Sequence, residues 1–141
     1  MSPTIDHEII QAARELMQER YVEGLHSMGS VLRTRTGNVF QGVHVEANNG
    51  RITLCAEAVA IGAAATGGDT DIAQIVAVTE SGDIVPPCGM CRELISDYAP
   101  EACVILEDEG GVHAVSIRTL LPDKYDGSKY PNRRRGEASA S

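Results

Sequence analysis

The stretch from Ile72 to Tyr98, IAQIVAVTESGDIVPPCGMCRELISDY, decides the fold of this chain. It opens with Ile72 to Thr79, a mostly apolar run of strand length. Glu80 to Pro87 follows, with Ser-Gly-Asp and Pro-Pro, and reads as a turn-rich connection. From Cys88 the chain is predicted helical as far as Tyr98, stopping before Pro100. Strand, connection and helix in that order call for a sheet with helices laid on it.

Upstream, Leu54 to Ala65 is Ala-rich with strong helix formers, and Gly67-Gly68 ends it. Ser30 to Thr36 and Val39 to Glu46 are β-prone runs about Gly37-Asn38, the pattern of a hairpin. Asn48-Asn49-Gly50 is a loop. Ile5, Ile9, Ala12, Ala13, Leu16 and Met17 fall at helical spacing, with Thr4 and Glu8 as a loose start signal. Downstream, Cys103 to Leu106 is a short buried strand that pairs with Val112 to Ile117 across Glu-Gly-Gly. The predicted order is α-β-β-α-β-α-β-β, a mixed sheet sandwiched by helices. No repeat and no linker interrupts it. The expectation is one domain over 1–128 and a polar tail over 129–141.

Composition narrows the partners. The chain has 141 residues, Lys+Arg 12 against Asp+Glu 20, and a net charge of −8. That balance argues against a nucleic-acid polymer, which needs basic surface to displace counterions. Hydrophobic residues make up 43%, enough for a packed core rather than a disordered chain. No apolar run approaches the roughly 20 residues that span a bilayer, so no membrane is expected. The start, MSPTIDHEII, lacks a basic segment followed by an apolar one. A reducing, cytoplasmic compartment is therefore expected, where cysteines serve metal or catalysis more than disulfides.

The cysteines are Cys55, Cys88, Cys91 and Cys103. Cys55-Ala-Glu57 opens one predicted helix and Pro87-Cys-Gly-Met-Cys91 opens the next. Positions i and i+3 share a helix face, so Cys88 and Cys91 can reach one ion. Helix N-termini favour negative charge and lower thiol pKa. Three thiolates on zinc leave a fourth tetrahedral position for water. Glu57 can stand beside such an ion without binding it, taking a proton from water and passing it to a leaving amine. Three other readings stay open. A structural zinc would need a fourth ligand, and Cys103 lies in an apolar run. A redox dithiol would leave Cys55-Ala-Glu57 without a purpose. A zinc-stabilised binding module would carry no catalysis.

These motifs resemble the cytidine deaminase superfamily, specifically its small three-cysteine zinc cytidine deaminases and the related blasticidin S deaminases. The resemblance runs through Gly37 to Glu46, Cys55 to Ile61, Pro87 to Leu94 and Leu120-Leu-Pro122. It implies a three-layer α/β/α sandwich with a five-stranded mixed sheet. It also implies one Zn²⁺ per chain, hydrolytic deamination of a cytosine-type nucleoside such as cytidine or deoxycytidine, and a homotetramer or dimer. On that resemblance Cys55, Cys88 and Cys91 are zinc ligands and Glu57 is the proton shuttle. The Ala56 backbone meets the pyrimidine carbonyl, Glu46 meets a ribose hydroxyl, and Tyr125 closes over a neighbouring subunit's site.

The chain departs from the usual pattern at three places. His44-Val-Glu46 stands where Asn-x-Glu is usual, His26 aligns with a Phe, and Ala58 replaces an Arg that pairs with a thiolate. His44 is expected on the same face as Glu46 and His26 near the pocket, which admits a modified nucleoside such as blasticidin S as substrate. Arg92, Arg51 or the helix dipoles alone are left to offset the thiolate charge. The tail residues Lys129 and Arg133 to Arg135, with Lys124, are basic in an acidic chain.

Overall fold

A computed structural model describes residues 3–127, and the polar tail over 129–141 lies outside them. Its elements are α1 (His7–Arg20), β1 (Met28–Thr34), β2 (Val39–Val43), α2 (Ala56–Thr66), β3 (Ile72–Thr79), α3 (Gly89–Tyr98), β4 (Cys103–Asp108), β5 (Gly111–Ser116) and α4 (Ile117–Leu120). The five strands form one sheet in the order β2-β1-β3-β4-β5. Only the β3–β4 pair is parallel, and α3 makes its crossover. The remaining pairs are antiparallel, so the sheet is mixed.

Strand alternation divides the core in two. Leu32, Ile75 and Val104 face Ala60, Ile61 and Ala64 of α2 and Ile95 of α3. Val31, Val76 and Ile105 face Ile9, Ile10, Ala13 and Met17 of α1. The result is the expected α/β/α sandwich. Pairing slips between Arg33 and Thr34, skipping Ala73, and this bulge returns Ile72 to the same face as Ile75. Among the described residues no helix is long and apolar enough to cross a membrane.

Several boundaries differ from the sequence reading, each for a local reason. Asp6, not Thr4, caps α1: its carboxylate accepts from the Ile9 N–H at 3.3 Å and also from Arg33 Nε. Thr4 is held instead by the Gln74 amide from β3. The second hairpin strand ends at Val43 rather than Glu46, because Val45 turns away to exchange both backbone hydrogen bonds with Leu54, at 2.9 and 3.0 Å. The short helix α4 begins where a strand was expected to end, capped by Ser116.

Gly42 sets the seat of α2. A Cβ there would lie 2.5 Å from Ala60 N and 2.8 Å from Val59 C, both helix backbone atoms. Only glycine lets helix and strand approach this closely. Gly42→Ala is expected to cost about 1–3 kcal/mol by overpacking. A thermal melt should therefore fall by several degrees. Activity should fall further than stability, because the displaced helix carries Cys55 and Glu57 at its start. An unchanged melting temperature would show that α2 can shift without strain.

Candidate active site

Two helix N-termini meet at the sulfur cluster. Cys55 is the N-cap of α2 and Cys88 the N-cap of α3, and neither cap position makes a side-chain hydrogen bond to its helix. Cys91 lies in the first turn of α3 and is buried. The Sγ atoms of Cys55, Cys88 and Cys91 all lie within 4.8 Å of one another, and the Cys55–Cys88 pair is 3.8 Å apart. For Zn–S bonds near 2.3 Å, the edge of a tetrahedron is about 3.8 Å, which the Cys55–Cys88 pair matches, and the 4.8 Å bound keeps Cys91 within about 1 Å of it. Among the described residues no fourth His, Cys, Asp or Glu joins this group, and Cys103 stands apart on β4. A three-thiol set leaves one tetrahedral position to a small molecule.

The electrostatics call for a cation at this point. Burial pushes the Cys91 thiol far above its ordinary range, and the charges of Glu57, Cys55 and Cys88 add to the rise. Burial also raises Cys55. Burial works the same way on Cys88, but the N–H groups of Cys91 and Met90 and the adjoining thiols outweigh it and lower that pKa. A divalent ion is what lets three such thiols ionise together.

Glu57 sits in the first turn of α2 and is only 6% exposed. Ile75, Ala77, Val85, Pro87, Ile95 and Val104 form the apolar wall around it. That burial raises its carboxyl pKa above the ordinary value, partly offset by a backbone hydrogen bond. Ala56, also buried, holds the first helical position, where a backbone N–H has no intrahelical acceptor.

A second cluster lies beside this one through the Val45–Leu54 bridge. Residues opposite in an antiparallel pair share a face, so His44, Glu46, Thr53 and Cys55 fall on the same side. His44 Nε2 lies 2.9 Å from Glu46 Oε1, and Thr53 Oγ1 donates to Glu46 Oε2 at 3.4 Å. The Ser27 N–H donates to His44 Nδ1 at 3.2 Å, and the Ser27 hydroxyl lies 3.1 Å from the same nitrogen. His26 Nδ1 donates to the His44 carbonyl at 2.9 Å, which anchors that ring to the same strand end.

The other candidate residues are placed differently. Arg92 donates from Nε to the Pro87 carbonyl at 2.9 Å and from Nη1 to the Leu120 carbonyl at 3.1 Å. It therefore braces the segment before Cys88 against the end of α4. Arg51 is exposed on the turn Gly50–Ile52, and Ala58 is half-buried on α2. Tyr125 stands with Ser96 and Asp97 at the C-terminal end of α3, the end opposite Cys88 and Cys91. Ser27 and Thr53 escaped the sequence reading. Thr53 lay within reach of it, since it is two residues before Cys55, but the signal needs the register with Glu46.

Residues 3–107 match the family model for the cytidine and deoxycytidylate deaminase zinc-binding region. The chain is 44% identical over 128 residues to a blasticidin-S deaminase from Bacillus cereus, covering 85% of this chain and 91% of that protein. It is 28% identical over 120 residues to a cytidine deaminase from Halalkalibacterium halodurans, covering 83% and 91%. The crystal structure of a cytidine deaminase from Burkholderia pseudomallei superposes with a TM-score of 0.73 at 30% identity, over 86% of this chain and all of that one.

Proposed function

This chain belongs to the cytidine and deoxycytidylate deaminase family, and on that premise we propose that it hydrolyses the exocyclic amine of a cytosine-type nucleoside, releasing ammonia. The observation that carries the reading is the gathering of three sulfurs at two helix N-termini with a buried carboxyl in the adjoining first turn. Cys55, Cys88 and Cys91 would hold one zinc ion. Zinc, when bound, supplies a water that ionises near neutral pH. Glu57 takes a proton from the attacking water and delivers it to the ring nitrogen beside the amine. It then carries a second proton to the departing nitrogen, so amine and water are exchanged for carbonyl and ammonia. A carboxyl that both accepts and gives works best with a raised pKa, which burial provides. The N–H of Ala56 would meet the pyrimidine carbonyl and Glu46 a hydroxyl of the sugar.

Within that class, we favour a blasticidin S-like nucleoside over plain cytidine. The 44% identity to a blasticidin-S deaminase, against 28% for a cytidine deaminase, supports it. The test is ammonia release by zinc-loaded protein from cytidine, deoxycytidine and blasticidin S. Blasticidin S is expected to be turned over with kcat/KM at least about tenfold above cytidine, a difference of about 1.4 kcal/mol. The reverse order would make the chain a cytidine deaminase, and no ammonia from any of the three would reject the deaminase reading. Met90 is 83% exposed beside Cys91, and Ile52 and Leu54 are exposed on the approach to Cys55. Such side chains support association between copies of the chain. Sedimentation of the same sample as a monomer would remove that part.

A further inference from the structure

We propose that His44 is a positioning residue that acts through Glu46, locked in one tautomer by the backbone of Ser27, rather than a contact of the substrate itself. The proposal rests on the reading of Glu46 as the sugar-end acceptor. The Ser27 backbone nitrogen can only donate, so His44 Nδ1 must carry its lone pair. In the neutral ring the proton then sits on Nε2, which faces Glu46 Oε1 at 2.9 Å. His44 is thus a fixed donor to one carboxylate oxygen, while Thr53 donates to the other. Both oxygens have a donor within reach, the one Thr53 proton being shared with the Ala47 carbonyl at 3.5 Å, and the lone pairs left over can only accept.

Two consequences follow for the ligand. Its group at this place must be a donor, a hydroxyl or an ammonium, and an anion there is repelled. Moreover, the His44 ring is spent on protein partners through both nitrogens, at Ser27 and Glu46. The His26 ring shows the opposite arrangement. Its Nδ1 faces a carbonyl, an obligate acceptor, so His26 carries its proton on Nδ1. Neighbouring histidines held in opposite tautomers give a signature that mere packing would not produce.

Two measurements test this on the zinc-loaded full chain. Nitrogen-15 NMR of the imidazoles at about pH 8, above the ordinary histidine range, reads the tautomers directly. His44 is expected protonated at Nε2 and bare at Nδ1, and a proton on His44 Nδ1 would overturn the proposal. This spectrum comes from the unaltered protein and needs no turnover, so it stands even where the deaminase reading fails. The second is a double-mutant cycle of His44→Leu and Glu46→Gln on the nucleoside of the panel that releases ammonia. Each single change is expected to raise KM at least about tenfold with kcat within about threefold, and the double change to cost no more than Glu46→Gln alone. Multiplied rather than shared KM effects would mean that His44 meets the ligand directly. That outcome leaves deamination intact and overturns the proposal.

Discussion

Glu57→Gln is expected to lower turnover by about 10²–10⁴-fold or more, the range for losing one positioned acid–base group. The amide matches the carboxyl in size, so the apolar wall of Ile75, Val85 and Ile95 should still pack against it. It cannot move a proton. The pH profile of the unaltered enzyme follows from the same burial. Glu57 must be ionised to begin, and its pKa is raised. Activity should therefore fall on the acid side as Glu57 takes up its proton, and that limb should vanish in the variant. Stability changes with the opposite sign. A carboxyl with a raised folded-state pKa binds its proton more tightly folded than unfolded. Metal-free wild type consequently loses stability as pH climbs from the unfolded value through the folded one. Above that window the metal-free Gln variant should melt higher than wild type. Residual activity near the wild-type level, or a variant that melts lower, would show that Glu57 is a structural group.

Stripping zinc is the second large effect. A chelator is expected to remove all measurable ammonia release while leaving the far-ultraviolet circular dichroism intact, and added zinc should restore turnover. Both core clusters are built from aliphatic side chains on the two faces of the sheet, and none of the three thiols belongs to either. This separates the chain from zinc fingers, which unfold without metal because they have little other core. Melting should still drop, since an ion that binds only the folded chain stabilises by mass action, about 2.7 kcal/mol at one hundred times its dissociation constant. Cys91→Ser should behave like the stripped protein and resist rescue. Collapse of the circular dichroism on chelation would mean that the metal builds the fold.

The three-sulfur cluster was readable because its geometry is local. Cys88 needs only to cap a helix whose first turn carries Cys91, one residue later than the predicted start, and Cys55-Ala-Glu57 needs only a helix start. The sheet was readable for a similar reason: Ile72 to Thr79 is a strand by its own composition, and its bounds match. The long-range features were not. That β2 gives way at Val43, and that Val45 then pairs with Leu54, depends on a loop closing on itself. Without that register neither Ser27 nor Thr53 has any visible tie to Glu46. Arg92 is another case. Its sequence position beside Cys91 suggested the thiolate as its partner, yet its guanidinium reaches the carbonyls of Pro87 and Leu120. The close seat of α2 on Gly42 is equally invisible in a one-dimensional pattern.

The two-bond bridge between Val45 and Leu54 joins two halves with separate origins. Cys55, Glu57, Cys88 and Cys91 hang from helix ends that the interior fixes, whereas Glu46 and its supports come from a strand tip, a loop and one neighbouring turn. On the proposed roles, substitutions around residues 44–53 are expected to redraw what the protein accepts while the three-sulfur centre and Glu57 stay as they are.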